Sequence, residues 1–96
     1  MAEARAVDWH WLTDEAIEDF KEWRVARGAT RASASSYATG ARAFVRYCRN
    51  ANVEPTTAVD AFRDHLAREN RLTPHAQSSY GSHAFEFVEF LRARRP

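Results

Sequence analysis

Ser35, Thr39, Arg42, Arg46 and Arg49 follow one another at spacings of four, three, four and three. On an α-helix that spacing lines one side. Short hydroxyls in the first half let a backbone approach closely, and three guanidiniums extend along the second. A planar guanidinium suits bidentate contact with phosphate oxygens and guanine edges. Thr30, Arg31, Ser33 and Ser36 cluster at the start of the same segment. A helix opening there offers free N–H groups and the positive end of its dipole to a phosphate. A second opening holds Thr73, His75, Gln77, Ser78 and Ser79, with Ser82 a turn later. It is polar and small enough to hydrogen-bond phosphates or base edges in a groove. The chemistry these residues can do together is to dock on double-stranded DNA. A plainer reading stands beside it, in which the arginines are a solvated helix face and Thr30, Ser33 and Thr73 only cap helices.

Other chemistries find little support. His10, His65, His75 and His83 form no i,i+4 pair and have no thiolate at ligand spacing, so no metal site and no cofactor is expected. Cys48 is the single cysteine, which excludes an intrachain disulfide and a four-thiolate zinc site. Paired carboxylates in an apolar setting, a glycine-rich phosphate loop and a nucleophile with its base are all missing, so the chain by itself is not expected to catalyse a reaction. No apolar run approaches membrane-spanning length, and the first dozen residues carry Glu3 and Asp8 in place of a basic-then-apolar signal. The expectation is a soluble cytoplasmic protein with no membrane partner.

The chain has 96 residues, 45% of them hydrophobic and 28% charged, which is globular composition and enough length for one domain. Its net charge of +1 conceals a division along the chain. Glu3, Asp8, Asp14, Glu15, Glu18, Asp19 and Glu22 face only Arg5 and Lys21 in the first 22 residues. Residues 23–49 then hold Arg24, Arg27, Arg31, Arg42, Arg46 and Arg49 with no carboxylate. Such a division suits one acidic surface and one that faces a polyanion. The acidic segment is expected to face away from DNA.

The elements that must carry these residues read as four helices, because apolar spacing is helical throughout and nowhere alternates with period two. The first starts after a capping Thr13, buries Ile17, Phe20 and Trp23, and stops at Gly28. Trp9 and Trp11, in a lead-in over residues 1–12, are expected to cover one end of the core. The second runs from about Ser33 to Arg49, with Ala34, Tyr37, Ala41, Phe44, Val45 and Cys48 inward, and Asn50 to Pro55 connect it onward. The third starts near Thr56 or Thr57 and buries Val59, Phe62 and Leu66. The fourth opens at Thr73-Pro74, where a missing N–H costs nothing, and runs to about Arg94 over Tyr80, Ala84, Phe87, Val88 and Leu91.

Two of these helices carry the same pattern. A shift of 43 residues lays ATRASASSYATGARAFVRYC (29–48) over LTPHAQSSYGSHAFEFVEFL (72–91). Thr30/Thr73, Ser35/Ser78, Ser36/Ser79, Tyr37/Tyr80, Ala41/Ala84, Phe44/Phe87 and Val45/Val88 coincide. The helices before them match more loosely, IEDFKEW (17–23) over VDAFRDH (59–65). The fold class expected is therefore all-α, a compact four-helix bundle of two related helical hairpins. Gly40 and Gly81 lie inside the long helices, where each costs about 1 kcal/mol, and permit either close helix crossing, the safer reading, or close approach of a phosphate.

Over residues 12–92 the Thr30…Tyr37 stretch, the run Ala41-Arg42-Ala43-Phe44-Val45-Arg46-Tyr47 and the second hairpin's Leu72-Thr73-Pro74 resemble the core-binding domain of tyrosine recombinases. This is the SAM-like N-terminal domain of phage integrases and Xer-type recombinases. The family usually opens its second helix with a proline-bearing turn, whereas this chain has Ala29-Thr30-Arg31 there. The resemblance implies a domain that grips duplex DNA at a recombination site, partnered by a C-terminal catalytic domain that carries an Arg, a His-x-x-Arg and a tyrosine nucleophile. None of that set can be placed here, since Ser78 follows His75 by three and Glu86 follows His83 by three. Residues 92–96, closing on Arg92, Arg94 and Arg95, read as the start of a linker to such a domain. Self-association on DNA is compatible with this reading. The alternative function is a protein-interaction bundle, with acidic first and basic second helices on different faces supporting head-to-tail association.

Overall fold

The computed structural model of the protein describes residues 14–69 and 71–94. Four helices follow in order, α1 (Asp14–Ala26), α2 (Arg31–Ala51), α3 (Val59–Ala67) and α4 (Pro74–Arg94), and among the described residues there is no strand. The fold is an all-α four-helix bundle. Thr13 as a cap and the placing of Trp9 and Trp11 lie outside the described residues.

The two long helices open by the same device. The Thr30 hydroxyl accepts from the Ser33 N–H at 3.0 Å, and the Thr73 hydroxyl from the Ala76 N–H at 3.1 Å. Each satisfies one of the amide donors that a helix start leaves without an internal partner. Because Thr30 is the cap, α2 begins at Arg31 and not at Ser33, so Arg31 and Ser33 belong to its first turn. At its other end α2 runs past Arg49 to Ala51, closed by Asn52 in the left-handed conformation with φ 55°. The α1 stop is of the same kind, with Gly28 at φ 106° and the Ala29 N–H reaching back to the Arg24 carbonyl.

Helix α3 starts later than expected. Pro55–Thr57 form a separate 3-10 turn, in which the Ala58 N–H bonds the Pro55 carbonyl at 3.1 Å. The Glu54 side chain caps it, accepting from the Thr56 amide at 3.2 Å and its hydroxyl at 2.8 Å. The three-residue ladder spends the Thr56 and Thr57 donors before an α-helix can use them.

Phe20, Phe44, Phe62 and Phe87, one from each helix, are fully buried at the centre of the core. Ile17, Ala34, Ala41, Val45, Cys48, Leu66, Ala84, Val88 and Leu91 are buried around them, while Trp23, Tyr37, Val59 and Tyr80 are half-buried at its margin. The aromatic contacts come in pairs related by the sequence repeat. Phe20–Phe87 and Phe62–Phe44 both have centroids 5.2 Å apart. Phe20–Phe90 at 5.6 Å corresponds to Phe62–Tyr47 at 5.5 Å, and Trp23–Phe90 at 5.5 Å to His65–Tyr47 at 4.9 Å. Phe44–Phe87, at 6.5 Å, is its own counterpart and marks a pseudo-twofold axis. The hairpins α1–α2 and α3–α4 are thus two copies of one unit.

Along the axis α2 and α4 run in the same sense, since Tyr37 and Gly40 meet His83 and, a turn later, Phe44 meets Phe87. Their N-termini therefore lie at one end of the molecule. At Gly40 a Cβ would overlap the His83 ring, so glycine is what allows this crossing. A Cβ at Gly81, which corresponds to Ala38 in the repeat, would meet the Arg63 side chain, its guanidinium at 3.2 Å and its Cγ at 3.3 Å.

Candidate nucleic-acid interface

Ser35, Thr39, Arg42, Arg46 and Arg49 are all exposed, and helix geometry places them on one side of α2. The Thr39 hydroxyl donates to the Ser35 carbonyl at 3.2 Å and follows its own helix. Ser36 is exposed too, but it lies about a quarter-turn round the helix, on the stripe of Ala43 and Tyr47. Arg31 is exposed at the helix opening, and Ser33 is half-buried there with its amide held by Thr30.

The acidic helix does not face away from this stripe. Helix α1 runs antiparallel to α2, and Arg31 clasps Glu22 with Nη1 to Oε2 at 2.7 Å and Nη2 to Oε1 at 3.3 Å. Through those hydrogen bonds first, and charge second, Arg31 holds the Glu22 carboxyl below the usual range, and Glu22 raises the Arg31 guanidinium. About three turns further along α2, Arg42 Nη2 lies 3.4 Å from Glu18 Oε2, and Glu18 also receives Lys21 at 3.3 Å. The expectation of acidic and basic helices on separate faces is thereby corrected. The physical reason lies in register, because Glu18 and Glu22 are one turn apart on α1 and Arg31 and Arg42 share one side of α2. Linear spacing gave no signal of it, since four residues separate the carboxylates and eleven the guanidiniums, and long side chains bridge the difference. Arg46 has no ion-pair or hydrogen-bond partner among the described residues.

At the α4 opening, His75, Ser78 and Ser82 are exposed and follow at three and four residues on one outer side, with Thr73 exposed at the cap. Phe85, among the described residues the exposed large hydrophobic at 48%, continues that line. Ser79 is half-buried. Gln77 is spent within the fold, its Nε2 donating to the Leu72 carbonyl at 3.2 Å. The structure thus brings together Arg31, Ser35, Thr39, Arg42, Arg46 and Arg49 on α2. It sets Thr73, His75, Ser78 and Ser82 on α4 at the same end as the α2 start, and it turns Ser36, Gln77 and Ser79 elsewhere.

Two buried groups complete the electrostatics. Burial, with a smaller contribution from Glu54, pushes the Cys48 thiol up to about 12, so it is no nucleophile. His83 is held below its ordinary value by burial and then by the Arg24 charge, and its Nδ1 has no hydrogen-bond partner. Among the described residues no group of three or more His, Cys, Asp or Glu side chains is placed to hold a metal ion, and no helix is long and apolar enough to cross a membrane. No family model, curated protein or solved structure matches the chain.

Proposed function

We propose that this chain is a DNA-binding module, the core-binding domain of a site-specific tyrosine recombinase or integrase, acting in the cytoplasm beside a C-terminal catalytic domain and supplying grip on duplex DNA but no catalytic group. The observation that carries the reading is the exposed hydroxyl-and-guanidinium side of α2, with the α4 start at the same end of a pseudo-twofold fold. Two like helix openings at one end of the molecule can each receive a phosphate. The ion pairs to Glu18 and Glu22 refine the picture. Arg31 and Arg42 reach phosphate only by exchanging a carboxylate for it, whereas Arg46 is available at once.

The test is a salt titration of duplex binding by fluorescence anisotropy. Neutralising about four phosphates gives a log–log slope near −4. Arg42→Ala with Arg46→Ala is expected to flatten the slope by about two, and Glu18→Gln with Glu22→Gln to tighten binding at low salt. An unchanged slope in the arginine variant sinks the α2 face as the contact.

One observation favours a second reading as a protein-interaction bundle. Phe85 stands exposed on α4 among Thr57, Asp60 and Arg63, a mixed apolar and charged surface of the kind proteins use to meet one another. A strict monomer by analytical ultracentrifugation that still shifts duplex DNA rejects self-association as this chain's role.

A further inference from the structure

The pseudo-twofold makes the molecule its own control, because each feature of one hairpin can be compared with its counterpart in the other. In the first half the furrow between α1 and α4 is filled. Trp23 packs on Phe90 at 5.5 Å, Arg24 reaches Glu86 at 3.2 Å, and the Arg24 guanidinium stacks over the Tyr37 ring at 4.3 Å. The counterparts of Trp23, Arg24 and Glu86 in the second half are His65, Leu66 and Ala43. All three are smaller, and the furrow between α2 and α3 is left as an open groove of about 680 Å³. Its lining is mainly apolar, with Tyr47, Leu66, Leu72 and Tyr80 along it.

The rim of the groove is net cationic. Arg46 has no partner among the described residues, and Arg71 is 89% exposed. The rim's one carboxylate, Glu69, already lies 3.4 Å from Arg71 and 4.0 Å from His65. In the filled half Glu89 stands where Arg46 stands here and Arg27 where Glu69 stands, so both rims are mixed, and the open one differs by the added Arg71 as well as by the loss of bulk.

From these two differences we infer that the groove is a docking site for a partner protein's aromatic side chain flanked by a carboxylate. The indole of Trp23 shows what shape this furrow accepts in its duplicate. Arg46 and Arg71 supply the complementary charge, a guanidinium–carboxylate contact beside a desolvated ring. The inference does not rest on DNA binding, although Arg46 serves both surfaces.

The experiment is a heteronuclear NMR titration of the full chain with N-acetyl-tryptophanyl-aspartyl amide as the probe. Saturable shifts confined to Ala43, Tyr47, His65, Leu66 and Tyr80 are expected. Arg46→Glu should weaken binding by roughly tenfold, the loss of one charge-assisted contact. His65→Trp, which copies the filled half, should abolish it while leaving the thermal melt and the remaining spectrum intact. Absence of groove shifts, or shifts that survive His65→Trp, overturns the proposal. So does a single-stranded oligodeoxythymidylate that moves the same signals at lower concentration than the dipeptide, which makes the groove a base-stacking site. Probe-free shifts that depend on protein concentration, or that vanish when Trp9 and Trp11 are replaced by Ala, also overturn it by assigning the groove to this chain. Arg42→Ala lies outside the groove, and its loss of duplex binding with the dipeptide shifts retained separates the fate of the DNA reading from this one.

Discussion

At Arg31 and Arg42 the same side chain has two competing anions, a phosphate from outside and a carboxylate of α1 from within. Exposure of both partners keeps the internal pairs exchangeable, since water and salt screen them. His83 is the opposite case. Its ring is wedged between Tyr37, at 4.4 Å, and Tyr80, at 6.1 Å, and protonation would place a charge beside Arg24 in a partly dry crossing. Its folded value lies below its unfolded one, so in acid the unfolded chain binds more protons than the native one. The stability this neutral imidazole contributes is present above the ordinary histidine value and is lost as pH falls through it. Melting temperature is expected to drop between about pH 7 and pH 5, and His83→Gln to flatten that part of the profile. A histidine variant with an unaltered acid slope assigns the drop to other groups.

Among the elements, α2 and α4 depend most on one small residue. Glycine inside a helix costs about 1 kcal/mol, and Gly40 is retained because the His83 ring occupies the volume of its missing side chain. Gly40→Ala gains helix propensity, but the added methyl overlaps both the ring and the Cβ of His83, so the helices must part, an overpacking penalty that outweighs the gain. A net destabilisation of about 1–2 kcal/mol is expected by urea denaturation. With His83→Gly in the background, which removes the Cβ as well as the ring, the same substitution should become neutral or stabilising, because only the propensity gain remains. Gly81 meets the flexible Arg63 side chain instead, so Gly81→Ala is expected to be mild. The 43-residue shift sets Gly40 on His83 and Ala38 on Gly81, so the two glycines are not equivalent positions and carry different constraints. The caps follow the sequence more closely, with Thr30 and Thr73 both bonded to the amide three residues on.

For the molecule as a whole, the pseudo-twofold sets which sites are energetically equivalent. Phe44 and Phe87 lie on either side of the axis, each 0% exposed, and each meets a phenylalanine of the opposite hairpin at 5.2 Å. Phe44→Leu and Phe87→Leu are each expected to cost about 1–2 kcal/mol, within a few tenths of one another, by chemical denaturation. Made together they should fall short of additivity, since the second ring has already lost its partner across the axis. A large inequality between the two single variants would mean that the halves share a sequence pattern without sharing a core.

Much of this was determined by the sequence alone. Apolar residues at helical spacing, hydroxyl caps at Thr30 and Thr73 and a stop at Gly28 act through neighbours a turn away, so the four helices and their duplication could be read without coordinates. The boundaries that moved, at Arg31, Ala51 and Val59, turned on which donor a single cap or 3-10 turn uses. Everything that depends on juxtaposition across the chain waited for tertiary structure. Register between antiparallel helices decided that Glu22 and Glu18 meet Arg31 and Arg42, and the crossing decided that His83 fills the space at Gly40. Side-chain bulk at matched positions decided that one furrow is filled and the other open. Charge and volume act over ångströms in space, and linear order does not encode which residues come within that range.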